Sequence, residues 1–213
     1  MSLRHHLSIM PLVAILRGLR PEDAPDALAA LVTAGFRIIE VPLNSPRPFE
    51  TIAYLSDRAG ADLLIGAGTV LSVEEARAAA QAGARLMVAP NCDLQVIAAA
   101  KAHGMATLPG VATPTEAFAT LKAGADGLKL FPGELLPPAA VKAWRAVLPP
   151  GTLLLPVGGV SLANMGDYVA AGADGFGIGS ALYKPGMAAS ELGHKAGAFV
   201  ERCRELFPGR PQA

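Results

Sequence analysis

Residues 82–130 read AGARLMVAPNCDLQVIAAAKAHGMATLPGVATPTEAFATLKAGADGLKL. In this stretch short apolar segments of strand length, Leu86–Ala89 and Met105–Leu108, alternate with Ala-rich segments that have helical periodicity. Gly83 and Gly104 each lie between a helical segment and the next apolar segment, where glycine tolerates the left-handed conformation that ends many helices. The stretch therefore predicts consecutive units of one strand and one helix.

The same unit recurs along the whole chain. Eight apolar segments have strand length: Leu12–Leu16, Ile38–Val41, Leu63–Ile65, Leu86–Ala89, Met105–Leu108, Gly127–Leu130, Leu153–Val157 and Gly175–Ile178. Eight units in 213 residues match a small (β/α)8 barrel, which needs about 200–250 residues; periodicity alone leaves a doubly wound open sheet as the alternative. We expect an α/β protein with one domain, residues 1–213, in which residues 12–183 form the barrel core and residues 184–213 a C-terminal helix and tail.

Composition excludes several classes of protein. Hydrophobic residues make up 52% of the chain and charged residues 17%, which argues against disorder. Eighteen basic and eighteen acidic residues cancel, so the chain has no global attraction to a phosphate backbone. No apolar run reaches the roughly 18–20 residues of a membrane-spanning helix, and Cys92 and Cys203 are too few for a disulfide scaffold. We expect a cytoplasmic protein that binds neither nucleic acid nor membrane.

Charged residues at the ends of predicted strands are the first candidates for function, because a barrel carries its chemistry at the C-terminal ends of its strands. Arg17 follows the first strand, where its permanently charged fork could hold a carboxylate or a phosphate. Glu40 interrupts the second strand, and burial of an unpaired carboxylate raises its pKa, which makes Glu40 an acid-base candidate. Each residue could instead be paired with a neighbour for structure alone.

Lys129 lies between two leucines in the sixth predicted strand. An apolar site lowers the pKa of a lysine ammonium, and the amine that results can form an imine with a ketone. The structural alternative is an ion pair with Glu40. The segment Gly66-Ala67-Gly68-Thr69-Val70 adds one hydroxyl, that of Thr69, and glycines that could let a substrate approach the backbone.

Two glycine-rich segments end the seventh and eighth predicted strands. They are Val157-Gly158-Gly159-Val160-Ser161 and Gly175-Phe176-Gly177-Ile178-Gly179-Ser180. Loops at these two places form the common phosphate site of barrels, because their backbone amides face the ligand. Close packing of a helix against glycine is the structural alternative.

The histidines indicate no metal site. His5, His6, His103 and His194 converge on no strand end, and the adjacent His5 and His6 are typical of a solvated terminus. We therefore expect no bound metal.

Together these motifs resemble the class I 2-keto-3-deoxy-6-phosphosugar acid aldolases. The resemblance runs in unbroken order from about Leu12 to Tyr183 and rests on five segments: Ala14-Ile15-Leu16-Arg17-Gly18, Glu40-Val41-Pro42-Leu43-Asn44-Ser45-Pro46, Gly66-Ala67-Gly68-Thr69-Val70, Lys129-Leu130-Phe131-Pro132 and Val157-Gly158-Gly159-Val160. Gluconate-specific members usually have Thr-Arg after the Glu-Val pair and a threonine before Gly-Gly. Pro42-Leu43-Asn44 and Val157 therefore favour the members that act on the galactonate epimer.

The resemblance implies a small (β/α)8 barrel, commonly a homotrimer, that needs no metal or organic cofactor. It assigns imine formation to Lys129 and proton transfer to Glu40. Arg17 and Thr69 would hold the substrate carboxylate or neighbouring oxygens. The phosphate-binding loops would include Gly158, Gly159, Gly179 and Ser180, with Val157 beside them. The implied substrate is a phosphorylated 2-keto acid, and the products are pyruvate and glyceraldehyde 3-phosphate. Glu134 is a departure, because relatives often carry small hydroxyl residues there.

Three other functions remain open from the sequence. The chain could act on the gluconate epimer, which differs at one hydroxyl. A phosphosugar isomerase or epimerase barrel could use the same phosphate loops with Glu40 as an enolising base, in which case Lys129 would be an electrostatic clamp. A non-catalytic protein could bind the phosphorylated metabolite without cleaving it.

Overall fold

The computed structural model describes residues 2–209. Nine strands are present in this range: β1 Leu12–Ile15, β2 Ile38–Pro42, β3 Leu64–Gly68, β4 Leu86–Val88, β5 Ala106–Leu108, β6 Gly110–Val111, β7 Leu128–Leu130, β8 Leu154–Pro156 and β9 Phe176–Ile178. Nine α-helices accompany them: α1 Leu3–Ile9, α2 Ala24–Ala34, α3 Pro48–Arg58, α4 Val73–Gln81, α5 Leu94–Ala102, α6 Pro114–Lys122, α7 Pro138–Arg145, α8 Met165–Ala170 and α9 Ala189–Leu206. Each of the eight predicted strands overlaps an observed one, which confirms the alternation of strand and helix.

All paired strands are parallel, and they form two sheets. The larger has six strands in the order β5-β4-β3-β2-β1-β9, and the smaller has three in the order β6-β7-β8. A single parallel bridge between Val157 and Gly177 joins the end of β8 to β9. The chain is therefore an α/β protein built on parallel sheets, as the sequence predicts.

The fifth predicted strand is divided at Pro109, which separates β5 from β6. Proline has no backbone N–H and interrupts a hydrogen-bonded ladder. Its carbonyl still accepts a hydrogen bond from Lys129 N at 2.9 Å. The short strand Gly110–Val111 was not predicted, and it pairs with β7 so that Gly110 lies opposite Lys129.

In the sequence, Ser72 followed three residues later by Glu75, and Thr113-Pro114 followed by Glu116, indicate helix starts, and the structure confirms both. Ser72 accepts a hydrogen bond from the Glu75 amide at 3.1 Å, and Thr113 forms a complete capping box with Glu116. Ser45-Pro46 and Ser161 are sequence signals of the same kind, but the helices that they predict begin a few residues later. Helix α3 begins at Pro48 rather than near Ser45, whose side chain instead accepts a hydrogen bond from Gly18 N at 2.9 Å. Helix α8 begins at Met165 rather than near Ser161 because Ser161 N bonds to the Asn164 side chain in a preceding turn.

The N-terminal residues correct one prediction. His6 does not belong to a solvated terminus: it lies in helix α1 and is 1% exposed. Leu3 and Leu7 of this helix pack in one cluster with the strand residues Val13, Ile38, Leu64, Leu86, Val88, Leu108, Leu153 and Leu155. The prediction failed because helix α1 has few apolar residues, and basic and polar residues lie between them. This pattern does not show that one face of the helix is buried.

No helix within residues 2–209 is long and apolar enough to cross a membrane.

Candidate functional site

Glu40 is placed by strand β2, which is buried along its whole length. In the ladder Glu40 lies between Ile15 of β1 and Gly66 of β3. Its side chain extends over Gly68, two residues further along β3, because a Cβ atom built there would collide with the Glu40 carboxylate. Gly68 therefore makes room for the Glu40 carboxylate. The sequence had suggested a different role for this glycine, which was to let a substrate approach the backbone.

The Glu40 carboxylate is 2% exposed, and its Oε2 atom has no hydrogen-bond partner. Burial raises the pKa of Glu40 to about 7, although the positive charges of Lys129 and Arg17 act in the opposite direction. A carboxyl group with this pKa exists in both protonation states at neutral pH, so it can give or take a proton there.

Lys129 lies at the centre of β7 and is 5% exposed. Its Nζ atom is 4.6 Å from the centroid of the Phe131 ring. Burial lowers the pKa of the Lys129 ammonium, the Glu40 charge raises it, and Arg17 lowers it again. Within residues 2–209 no ion pair joins Lys129 to Glu40. The two groups therefore interact through space, and the purely structural ion pair considered from the sequence is not formed.

Arg17 follows β1 and reaches across to the loop after β2. Its Nη1 atom donates a short hydrogen bond to Oδ1 of Asn44. The guanidinium is exposed, yet its charge influences the pKa of both Glu40 and Lys129. Asn44 was not predicted as a site residue, although it stands in the segment that begins with Glu40.

These groups border a cleft of about 680 Å³ at the C-terminal ends of the strands. Seven predicted site residues line it: Arg17, Lys129, Val157, Gly158, Gly159, Gly179 and Ser180. Glu40 and Thr69 are not part of its wall. Glu40 is buried within electrostatic reach of Lys129. Thr69 follows Gly68 with a φ of 55°, a left-handed conformation that is uncommon for threonine, and its contact with a substrate stays a prediction.

The Gly158-Gly159 segment has a left-handed backbone, with φ of 99° and 63°. A Cβ atom at Gly158 would be 2.5 Å from Oε2 of Glu134, and one at Gly159 would be 2.8 Å from the Glu134 Cγ. At each of the two positions glycine is required for two reasons: the left-handed backbone conformation and the close approach of the Glu134 side chain. The carboxylate that departs from the family pattern lies directly against this loop.

Lys184 and Tyr183 also line the cleft and were not predicted. Both follow Gly179 and Ser180 closely in the sequence. A lysine soon after a predicted phosphate-binding segment was the signal that could have identified Lys184.

Two relatives of similar sequence are named as aldolases, and a solved structure of similar fold is described by the same abbreviated substrate name. The probable 2-dehydro-3-deoxy-6-phosphogalactonate aldolase of Rhizobium meliloti (strain 1021) is 49% identical over 200 residues, which is 94% of each chain. The 2-dehydro-3-deoxy-6-phosphogalactonate aldolase of Escherichia coli (strain K12) is 44% identical over 92% of this chain and 96% of its own. A solved structure described as native KDPGal superimposes with a TM-score of 0.91 at 44% identity, covering 92% of this chain and 96% of the other.

The family model for KDPG and KHG aldolases matches residues 3–194, which include every residue placed in the site above. Within the matched span Lys129 lines the cleft, and the charge of the buried Glu40 acts on its pKa. The chain belongs to the KDPG and KHG aldolase family.

Proposed function

We propose that this aldolase cleaves 2-dehydro-3-deoxy-6-phospho-D-galactonate to pyruvate and D-glyceraldehyde 3-phosphate through an imine on Lys129. The observation that carries the proposal is a buried lysine on the wall of a cleft, with a buried carboxyl group within electrostatic reach. The relatives of 49% and 44% identity supply the substrate class.

The reaction begins at the Lys129 amine. Because burial lowers the pKa of Lys129, a larger fraction of this residue is the nucleophilic amine at neutral pH than of an exposed lysine. The amine attacks the C2 ketone of the substrate, and the tetrahedral carbinolamine that forms loses water to give a protonated imine. The positive nitrogen then accepts electrons from the neighbouring carbon skeleton.

Glu40 supplies and removes protons in this sequence. Its raised pKa, about 7, suits a group that protonates the leaving water and later takes the proton of the C4 hydroxyl. Loss of that proton breaks the C3–C4 bond, and its electron pair passes to the imine to give an enamine. Glyceraldehyde 3-phosphate leaves, the enamine carbon is protonated, and hydrolysis of the imine releases pyruvate and the free Lys129 amine.

The remaining predicted residues orient the substrate. Arg17, held by Asn44, is the cation whose charge acts on both Lys129 and Glu40, so it is suited to the carboxylate next to the C2 ketone. Thr69 is assigned to the same end. Gly158, Gly159, Gly179 and Ser180 are assigned to the phosphate at the other end.

Val157 supports the galactonate epimer. This residue is 6% exposed, lines the cleft and packs against Gly177, where a Cβ atom would be 2.7 Å from the Val157 Cγ2. An apolar wall at this position offers no hydrogen bond to the hydroxyl by which the gluconate epimer differs.

We also propose that the two sheets form one closed (β/α)8 barrel in a single domain of residues 1–213. Two features support closure: β5 and β6 are consecutive pieces of chain divided only by Pro109, and the bridge between Val157 and Gly177 joins the other edges. The fifth strand would then count once, which gives eight.

A homotrimer is part of the same proposal. Leu71, Leu94 and Phe118 are between 45% and 51% exposed and lie before or within α4, α5 and α6, three consecutive helices. An apolar surface of this kind is typical of a protein interface. Sedimentation velocity would test the assembly state.

Borohydride trapping tests the chemistry directly. The protein is incubated with pyruvate and borohydride, and the reduced adduct is located by peptide mass spectrometry. We expect the pyruvate-derived mass on Lys129 and none on Lys142, an exposed lysine on α7 outside the cleft. A folded protein that gives no adduct would contradict the imine mechanism and favour the isomerase or epimerase alternative. Turnover assays on both phosphosugar acids then determine the epimer preference.

A further inference from the structure

One basic residue of the cleft has no part in the mechanism above. Lys184 follows β9 and lines the cleft together with Gly179 and Ser180. Its side chain is exposed, and within residues 2–209 it forms no ion pair. A lysine ammonium that has no carboxylate partner on the wall of a cleft is available to an anionic ligand.

The backbone that carries Lys184 is held in place. Residues 184–187 form a tight turn in which the Met187 amide bonds to the Lys184 carbonyl at 3.1 Å. Pro185 and Gly186 occupy its two central positions, and Gly186 has the positive φ, 78°, that a type II turn requires. Pro185 also packs against Gly18, where a Cβ atom would be 2.6 Å from the Pro185 Cγ. The turn is therefore fixed against the loop after β1.

The three cations of the cleft act at different places. Arg17 donates a hydrogen bond to Asn44 in the loop after β2, whereas Lys184 lines the cleft from the segment after β9, four residues beyond Ser180. The charge of Arg17 also influences the pKa of both buried groups. A 6-phospho-2-keto acid has a carboxylate beside its reacting carbon and a phosphate at the far end of its chain. The positions of Arg17 and Lys184 match the positions of these two anionic groups along the substrate.

The glycine loop alone is a weak place for a phosphate dianion. Glu134 lies against Gly158 and Gly159, so a negative charge stands beside the backbone amides that were predicted to bind phosphate. A carboxylate at this distance repels a second anion. Lys184 is a cation of the same cleft, in the segment after β9, and its charge can offset this repulsion.

We propose that Lys184 binds the substrate phosphate and sets the preference of the enzyme for phosphorylated over unphosphorylated 2-keto acids. This inference rests on the proposed function for the identity of the substrate. Its physical content is an ammonium-phosphate contact at the β9 end of the cleft.

The test compares K184M and K184R with K142M, which removes an exposed lysine outside the cleft. Calorimetry measures the binding of inorganic phosphate and of glyceraldehyde 3-phosphate, and steady-state assays compare the phosphorylated substrate with its unphosphorylated analogue. For K184M we expect a roughly tenfold weaker binding of both phosphate ligands and a roughly tenfold higher KM for the phosphorylated substrate, with a smaller change in kcat. The arginine variant should recover most of the loss, and higher ionic strength should reduce it.

Two results would overturn the proposal. One is phosphate binding by K184M equal to that of K142M; the other is an equal loss with phosphorylated and unphosphorylated substrates, which would indicate a structural defect. The binding measurement needs no turnover. If the unaltered protein neither cleaves the substrate nor forms the pyruvate adduct, the proposed function fails, while phosphate binding still decides the role of Lys184.

Discussion

The N-terminal and the C-terminal ends of the strands each contain a buried polar group, and the surroundings of these two groups differ. At the N-terminal ends, helix α1 covers an apolar cluster that contains Leu3 and Leu7, and His6 is buried beside it with an unpartnered Nε2 atom. At the C-terminal ends, Glu40 is buried with an unpartnered Oε2 atom, within electrostatic reach of Lys129, which lines the open cleft. Each end thus leaves one polar atom without a hydrogen bond.

The difference lies in the charges around each group. His6 has a hydrogen bond from its Nδ1 to the Ser2 carbonyl, and the nearby charges that act on it are all positive. Glu40 has two cations near it, one of which is a potential nucleophile. A buried polar atom by itself is a cost in stability. It becomes a candidate catalytic group where complementary charges and an opening to solvent accompany it.

The largest effect should come from replacing Lys129 by arginine. Arginine keeps the positive charge but cannot act as an amine nucleophile at ordinary pH, so K129R should lose on the order of 10⁴-fold or more in kcat. Progress of the cleavage is followed by detecting pyruvate. The comparison with K142M controls for the loss of a lysine as such.

Lys129→Arg also separates the two enzyme classes. If Lys129 were only an electrostatic clamp, arginine would preserve much of the activity, and the imine mechanism would be excluded. A folded K129R that neither cleaves the substrate nor traps pyruvate would agree with the proposed chemistry. Circular dichroism and thermal unfolding establish whether the variant is folded.

Glu40→Gln should have the second largest effect. The amide keeps the size of the side chain but cannot carry a proton between water and substrate, so we expect kcat to fall by roughly 10²–10³-fold. Because the Glu40 charge raises the pKa of Lys129, its removal should also lower that pKa further. The pH dependence of pyruvate trapping reports the shift, and a rising limb displaced to higher pH in E40Q would contradict this coupling.

Much of the site could be predicted because its residue types are unusual for their positions. A glutamate and a lysine inside apolar strands, and two glycine-rich segments at strand ends, are visible in the sequence. The structure brings seven of the nine predicted residues to one cleft wall and places Glu40 within electrostatic reach of Lys129. The contact of Gly68 with Glu40 could not be predicted, because it depends on the register of β2 and β3, in which Pro42 lies opposite Gly68.

The fold was predictable where the signal is local. Capping residues at Ser72 and Thr113 and the glycines after the helices mark their boundaries through their own hydrogen bonds and dihedral angles. The burial of His6 is a long-range effect, since it arises from packing of α1 against strands that are distant in sequence. The seven residues of helix α1 do not by themselves show that His6 is buried.

Leu7→Ala tests the contribution to stability of the apolar cluster at the N-terminal ends of the strands, which helix α1 covers. The side chain is 2% exposed in the cluster beneath the strands, and loss of a buried leucine leaves a cavity. We expect the free energy of unfolding to fall by about 2–4 kcal/mol, measured by denaturant titration. At a temperature where the variant is folded, kcat/KM should stay within about twofold of the unaltered protein. A loss of activity as large as that of E40Q would show that the two ends are not independent.

The smallest effects should be opposite pH dependences of stability at the two ends. Glu40 has a raised pKa, so its contribution to stability is fully present below pH 4.5, the unfolded value, and is lost as pH rises through about 7. His6 has a pKa that burial lowers from 6.5, so its contribution is present above 6.5 and is lost as pH falls through the lowered value. Replacement of Glu40 by glutamine should therefore raise Tm at pH 8 more than at pH 5.

Replacement of His6 by leucine removes a group that must lose its proton in the folded state. The Tm of H6L should consequently decline less between pH 7 and pH 5 than that of the unaltered protein, by no more than about 2–4 °C. Calorimetric scans at both pH values measure the two variants together. Parallel pH profiles for H6L and E40Q would show that the buried groups are not held in the protonation states assigned here. Profiles that diverge in opposite directions would show that the same burial stabilises the neutral form of Glu40 and of His6.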